Sequence, residues 1–167
     1  VQHGHMIKIG YDTYARLLSE TIKRLKGEKV ETAREVKLDI AITSKIPYSF
    51  ISDEAERLKI IAKISNIIDK TSAKTILNEL AINYGKLPKE IYNLTNLAIV
   101  KAYAKKNDVK TITITKNNMK IVYYEDIDIK KLMAKMNKFS HFKFENTALP
   151  TISLNPQYFS VQTAVNY

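Results

Sequence analysis

IPYSFISDEAERLKIIAKISNIIDKTSAKTILNELAINYGKLP, residues 46 to 88, is the stretch that decides how this chain is read. Ser52 stands where a helix N-cap belongs, and Asp53 and Glu54 follow in the first turn. Ile51, Ala55, Leu58, Ile61, Ala62 and Ile68 then recur at helical spacing, which predicts one helix with one buried face. A second apolar set, Ala73, Ile76, Leu77, Leu80, Ala81 and Tyr84, predicts another helix that Gly85 ends in a left-handed turn. Pro88 opens a third, at a position where a missing amide donor costs nothing. A step of about 100° per residue places Glu79 and Ile82 beside one another on the outer face of the second helix. A carboxylate next to an exposed apolar side chain is a candidate docking surface, although single exposed isoleucines and solvated charged faces are also ordinary.

Upstream of this stretch, Val36, Leu38, Ile40 and Ile42 alternate with Lys37, Asp39, Ala41 and Thr43, the pattern of a half-buried strand, and Pro47 closes it. Glu28 to Glu35 reads as a polar linker, preceded by a helix with a stripe of Tyr14, Leu17, Leu18, Thr21, Ile22 and Leu25 that stops at Gly27. Downstream, the third helix carries Ile91, Leu94, Ala98 and Ala102 and fades at Lys105, Lys106, Asn107 and Asp108. Thr111 to Thr115 and Met119 to Tyr124 flank Asn117 and Asn118 as a β-hairpin. A short helix over residues 128–138 is expected to turn Ile129, Leu132, Met133 and Met136 inward. Phe142 and Phe144, then Pro150, Ile152 and Leu154, predict two short strands about a turn near Asn146, and the tail after Pro156 has only weak helical potential.

The order is a connecting helix, a strand, three helices, a hairpin, a helix and a second short hairpin. Strands clustered late and helices clustered early predict an α+β fold with a mainly antiparallel sheet. The organisation expected is residues 1–10 as an imported end, 11–35 as connecting helix and linker, 36–155 as the folded domain and 156–167 as a tail.

Composition sets the outer limits. With 167 residues and 45% hydrophobic content the chain fits one domain with a modest core. No apolar run approaches the roughly 20 residues a bilayer requires, no signal peptide pattern is present, and no membrane partner is expected. The absence of cysteine excludes disulfides, thiolate metal sites and a cysteine nucleophile, and is compatible with a reducing cytoplasm. The net charge of +10 raises nucleic acid as a partner. The cations are 23 lysines and only 4 arginines, scattered among isoleucine and asparagine, whereas a dedicated phosphate reader would use forked guanidinium donors. The densest basic region is Lys101, Lys105, Lys106, Lys110, Lys116 and Lys120, with Tyr103, Tyr123 and Tyr124 nearby; adjacent Tyr123 and Tyr124 point to opposite faces of a strand, which weakens a stacking platform.

Catalytic patterns are missing. The four glycines are isolated, so there is no phosphate-binding loop and no cofactor is expected. His3 and His5 have no third ligand nearby, the remaining histidine being His141, so no metal site is expected. Glu125, Asp126 and Asp128 form the one tight acidic group; at a strand-to-helix junction a capping role is expected, with a carboxylate-based hydrolase as the remote alternative. No serine or threonine has a base and oxyanion context. No catalytic residue is assigned.

The motifs together resemble a known family. QHGHMIKIGYDTYARLLSETIKRLKGE, the strand, IPYSFISDEAERLKIIAKI and NELAINYGKLPKEIYNLTNLA resemble the C-terminal end of the bacterial transcription-repair coupling factors, the Mfd family. The family's QSGH-like segment falls on Gln2 to His5, its IG-aromatic-x-x-Y helix on Ile9 to Tyr14, its I-P-x-x-(Y/F)-I-x-D strand exit on Ile46 to Asp53, its R-L pair on Arg57 and Leu58, and its (F/Y)-G-x-L-P turn on Tyr84 to Pro88. The resemblance implies a fragment of a larger cytoplasmic, ATP-dependent DNA translocase of the helicase superfamily. It implies that residues 1–10 are the tail of the preceding helicase lobe and that the remainder is a regulatory domain without catalytic activity. It further implies autoinhibition by docking on the UvrB-like N-terminal module of the same protein, which masks the surface that binds UvrA. RNA polymerase and DNA would then be met only through other domains. The resemblance implies a docking contact of acidic residues near the end of the second helix against arginines of the N-terminal module, one acidic position falling on Glu79 and one on Ile82, which is apolar here; Thr75 and Asn83 are taken with them as the interface. The alternative is an accessory nucleic-acid-binding domain built on the lysines from Lys101 to Lys120.

Overall fold

The structure is a computed structural model that describes residues 34–115, 118–137 and 142–154, together with Leu25. Apart from Leu25, the expected connecting helix lies outside the described residues, as do the histidines, Lys116, Asn117 and the tail. The chain divides into two compact units, one of residues 1–33 and 45–98, the other of residues 34–44 and 99–167. The observed class is α+β, as expected.

The helical unit begins with α1, Glu54–Ser65. Its N-cap is Asp53, not Ser52: the Asp53 backbone is extended and its carboxylate accepts the Glu56 N–H at 2.7 Å. A charged acceptor at the positive end of a helix makes the stronger cap. The buried face is also displaced from the expected stripe, being formed by Arg57, Ile60 and Ile64 and continued by Ile67 beyond the helix. Leu58, Ile61 and Ala62 are half-buried flanks, and Ala55 and Ile68 are exposed. The segment carries two overlapping apolar stripes, and the one containing a charge is covered because the guanidinium of Arg57 finds partners inside.

Helix α2, Lys70–Tyr84, follows after a short turn. Asp69 and Ser72 form a reciprocal cap, with the Ser72 N–H donating to the Asp69 carboxylate at 2.8 Å and the Asp69 N–H to the Ser72 hydroxyl at 3.2 Å. Asp69→Ala is expected to cost about 1 kcal/mol of stability, read as a lower urea midpoint with unchanged slope. Ala73 and Leu80 are buried and Ile76, Leu77 and Tyr84 half-buried as expected, whereas Ala81 is exposed. Gly85 has φ +75° and its N–H donates to the Ala81 carbonyl at 2.9 Å, which ends the helix.

Helix α3, Lys89–Lys106, starts just after Pro88, whose carbonyl accepts the Ile91 N–H at 3.1 Å. Ile91 is fully buried, but Leu94, Ala98 and Ala102 are only half-buried, and the polar Asn93 and Thr95 are buried instead. Periodicity in apolar residues finds this helix but not the polar groups on its covered face. The Thr95 hydroxyl is buried with no hydrogen-bond partner among the described residues. Thr95→Val, which keeps the shape and removes the orphan hydroxyl, is expected to raise stability by about 1 kcal/mol in urea unfolding.

The sheet unit contains β1 (Lys37–Ile40), β2 (Val109–Ile114), β3 (Met119–Tyr123), β4 (Phe142–Asn146) and β5 (Pro150–Leu154), in the order β1-β2-β3-β5-β4. Three of the pairings are antiparallel and β1–β2 is parallel, as the long connection between those two strands permits. Registers line up Leu38, Ile112, Ile121, Ile152 and Phe144 in one row, and Ile40, Ile114, Met119, Leu154 and Phe142 in the next. Both rows lie on the same face, so the alternation in the sequence becomes one apolar side and one polar side. The polar side includes Lys120 and Glu145, paired at 3.2 Å across β5.

Helix α4, Ile129–Met136, is capped by Asp128, whose carboxylate accepts the Lys131 N–H at 3.1 Å. Of the residues expected inward, Leu132 is buried and Met136 half-buried, but Ile129 and Met133 are 43% and 46% exposed. Two helical turns cover only a narrow strip, and the spacing of apolar residues does not state its width. Among the described residues no helix is long and apolar enough to cross a membrane.

Candidate docking surface

The outer face of α2 rests on a fixed base. α1 and α2 are tied by the Tyr84 hydroxyl, which donates to the Glu56 carboxylate near the start of α1, and by an ion pair of Glu79 with Lys63 near the end of α1. These contacts run in reverse order along the two segments, so the helices lie antiparallel. The Tyr84 hydroxyl, followed by Lys59, holds the Glu56 carboxyl below the usual range, and the same bond raises the Tyr84 phenol. Tyr84 also packs against Phe50, with ring centroids 6.0 Å apart. At the start of α1, Arg57 donates from Nη1 to the carbonyls of Ile51 at 2.7 Å and Ser52 at 2.9 Å, and its guanidinium lies 3.9 Å from the centre of the Tyr48 ring.

On this base Thr75, Glu79, Ile82 and Asn83 are all exposed, spaced by four, three and one along α2 and so gathered on one side of it. Ile82 is 84% exposed. Thr75 turns its hydroxyl back to the Thr71 carbonyl at 3.2 Å. Lys63, which the sequence reading did not single out, holds the Glu79 carboxylate through Oε1. No local signal marks that pair, because its members stand on different helices.

The lysines of the alternative reading occupy the sheet unit: Lys101, Lys105 and Lys106 on α3, Lys110 on β2 and Lys120 on β3, all exposed. Lys106 lies 5.8 Å from the Tyr103 ring and Lys110 5.8 Å from the Tyr124 ring. Tyr123 is buried and its phenol is pushed up by that burial, so it offers no stacking face, and Lys120 is engaged by Glu145. Two members of the acidic group have separate structural tasks, and Glu125 is exposed. Asp128 caps α4, while Asp126 pairs with Arg34, which also meets Asp108 at 2.7 Å and lies 5.0 Å from the Tyr124 ring. Arg34 holds the Asp126 carboxyl below its usual range, and the Lys131 N–H does the same for Asp128. No cluster of three or more metal-ligating side chains occurs among the described residues.

Residues 40–136, more than half of the chain, match the family described as the TRCF domain. The chain belongs to that family. Its relatives include the transcription-repair-coupling factor of Bacillus subtilis (strain 168), 26% identical over 143 residues, which cover 83% of this chain and 12% of that protein. The Borreliella burgdorferi protein of the same name is 28% identical over 159 residues, covering 94% of this chain and 13% of the relative. That of Buchnera aphidicola subsp. Acyrthosiphon pisum is 32% identical over 130 residues, covering 75% of this chain and 16% of the relative. This TRCF domain therefore spans between 12% and 16% of the length of these relatives. It shares its fold with the crystal structure of the C-terminal domain of transcription-repair coupling factor, at a TM-score of 0.70 and 20% identity over 82% of this chain and 89% of the other.

Proposed function

We propose that this TRCF domain is a non-catalytic regulatory module of an ATP-dependent DNA translocase of the bacterial cytoplasm. It docks on the UvrB-like N-terminal module of its own protein and masks the surface that recruits UvrA. The observation that supports this reading is the exposed α2 face, where Glu79 stands beside an uncovered Ile82 on a helix whose C-terminal half is tied to α1 through Glu79 and Tyr84. A docking arrangement that must also release requires differential affinity of only about 1–3 kcal/mol, within reach of one charged contact and one apolar contact. The proposal places residues 1–10 at the end of a helicase lobe and gives RNA polymerase and DNA to other parts of the protein.

The test is calorimetric titration of this chain into the separately prepared N-terminal module, with UvrA added as competitor. Saturable binding that UvrA displaces is the expected result. Mutual indifference of the two pieces overturns the proposal. Lys106 beside Tyr103 and Lys110 beside Tyr124 favour the second reading, an accessory nucleic-acid-binding domain. It requires DNA binding that falls steeply with salt, and no binding at low salt removes it.

A further inference from the structure

We infer that Lys63 is a built-in competitor for the docking contact and so sets how readily the domain is released; this rests on the docking reading given above. Glu79 is not a waiting carboxylate in the free domain, because the Lys63 ammonium already donates to its Oε1. A guanidinium engages a carboxylate best through both oxygens, by two parallel N–H···O bonds. With Lys63 on Oε1, an incoming arginine finds only half of that acceptor. Lys63 must yield for the full contact to form, and its charge then stands against the arriving cation. The pair is exposed, with side-chain accessibilities of 42% for Lys63 and 47% for Glu79, so the ammonium is replaced at small cost. Ile82, 84% exposed on the same face, offers an apolar neighbour for the stem of the arriving side chain. Exchange of one ion pair for another makes docking nearly balanced, which suits a clamp that has to open.

The test uses the full-length protein containing this domain and measures its apparent affinity for UvrA, which is reduced in proportion to the closed population. Lys63→Met removes the competitor and its repulsion, so the closed form gains and UvrA binding weakens by about 2- to 5-fold, the range equivalent to an exposed ion pair. In a Glu79→Gln background the same substitution no longer weakens UvrA binding by the full amount, since no carboxylate is left to contest and only the repulsion of the arriving cation is removed. UvrA binding that responds to Glu79→Gln but not to Lys63→Met overturns the role of Lys63 and leaves the docking reading standing. Tighter UvrA binding in Lys63→Met also overturns it, by showing that the lysine assists docking. Indifference to both substitutions overturns the docking reading and this inference with it.

Discussion

Arg57→Ala is expected to lower the unfolding free energy of this domain by about 3 kcal/mol. The side chain is only 6% exposed, and it donates to the Ile51 and Ser52 carbonyls while its guanidinium lies against Tyr48. Each charge-assisted hydrogen bond contributes roughly 1.5–3 kcal/mol and the cation–π contact roughly 0.5–2 kcal/mol. These contributions are not additive, because all three use one planar group. Truncation leaves two carbonyls short of a donor just ahead of the Asp53 cap, so the entry to α1 loosens together with the packing of Ile60 and Ile64. Arg57→Lys keeps the charge but replaces the planar fork by a single point donor, and it is expected to recover less than half of the loss. Urea unfolding followed by circular dichroism measures both variants. A loss below 1 kcal/mol for Arg57→Ala would mean that the carbonyls are satisfied by water and that the arginine is a bystander.

Glu79→Arg is expected to weaken docking to the N-terminal module at least tenfold while leaving the fold intact. The substitution removes the carboxylate, presents a cation to a surface argued to be cationic, and faces Lys63 with a like charge. Like charges brought together in a partly desolvated contact cost more than an exposed pair gains, so the effect exceeds the loss of one ion pair. Glu79 is exposed on a helix whose buried side is held by Ala73 and Leu80, and its replacement therefore shifts the urea midpoint by an amount equivalent to about 0.5 kcal/mol at most. Titration of the variant into the N-terminal module checks the first expectation and unfolding the second. Equal affinity for variant and wild type would remove Glu79 as an anchor. The contact is also expected to weaken with salt, since the Debye length falls to about 8 Å at physiological ionic strength.

Much of the architecture was legible in the sequence because regular elements repeat with fixed periods. The period of two over Val36 to Ile42 and again over the hairpin marks β1, β2 and β3, although β1 ends at Ile40, and the registers join those alternations into one apolar side. The helical period located α1, α2 and α3 and put Glu79 and Ile82 outside, where they are found. Errors arose where a polar residue occupied a covered position. Arg57, Asn93 and Thr95 interrupt the apolar pattern, so the reading of α1 turned to the neighbouring stripe and that of α3 spread too evenly. Ser52 and Asp53 are both good caps, and only the backbone path makes Asp53 the one that serves. Ile129 and Met133 carry the helical spacing of a covered face yet are exposed, because a spacing rule gives a direction and not a width.

By itself the sequence determined what depends on neighbours a few residues apart: element type, the apolar side of the β1–β3 strands, the turn at Gly85, and an outer α2 face with a carboxylate next to an isoleucine. The tertiary structure alone decided the parallel pairing of β1 with β2, the burial of Arg57, the tie of Arg34 to Asp126 across 92 positions and the hold of Lys63 on Glu79 across 16. The physical reason is that a charged or polar side chain is stable wherever it finds a partner, and that partner is supplied by another part of the fold.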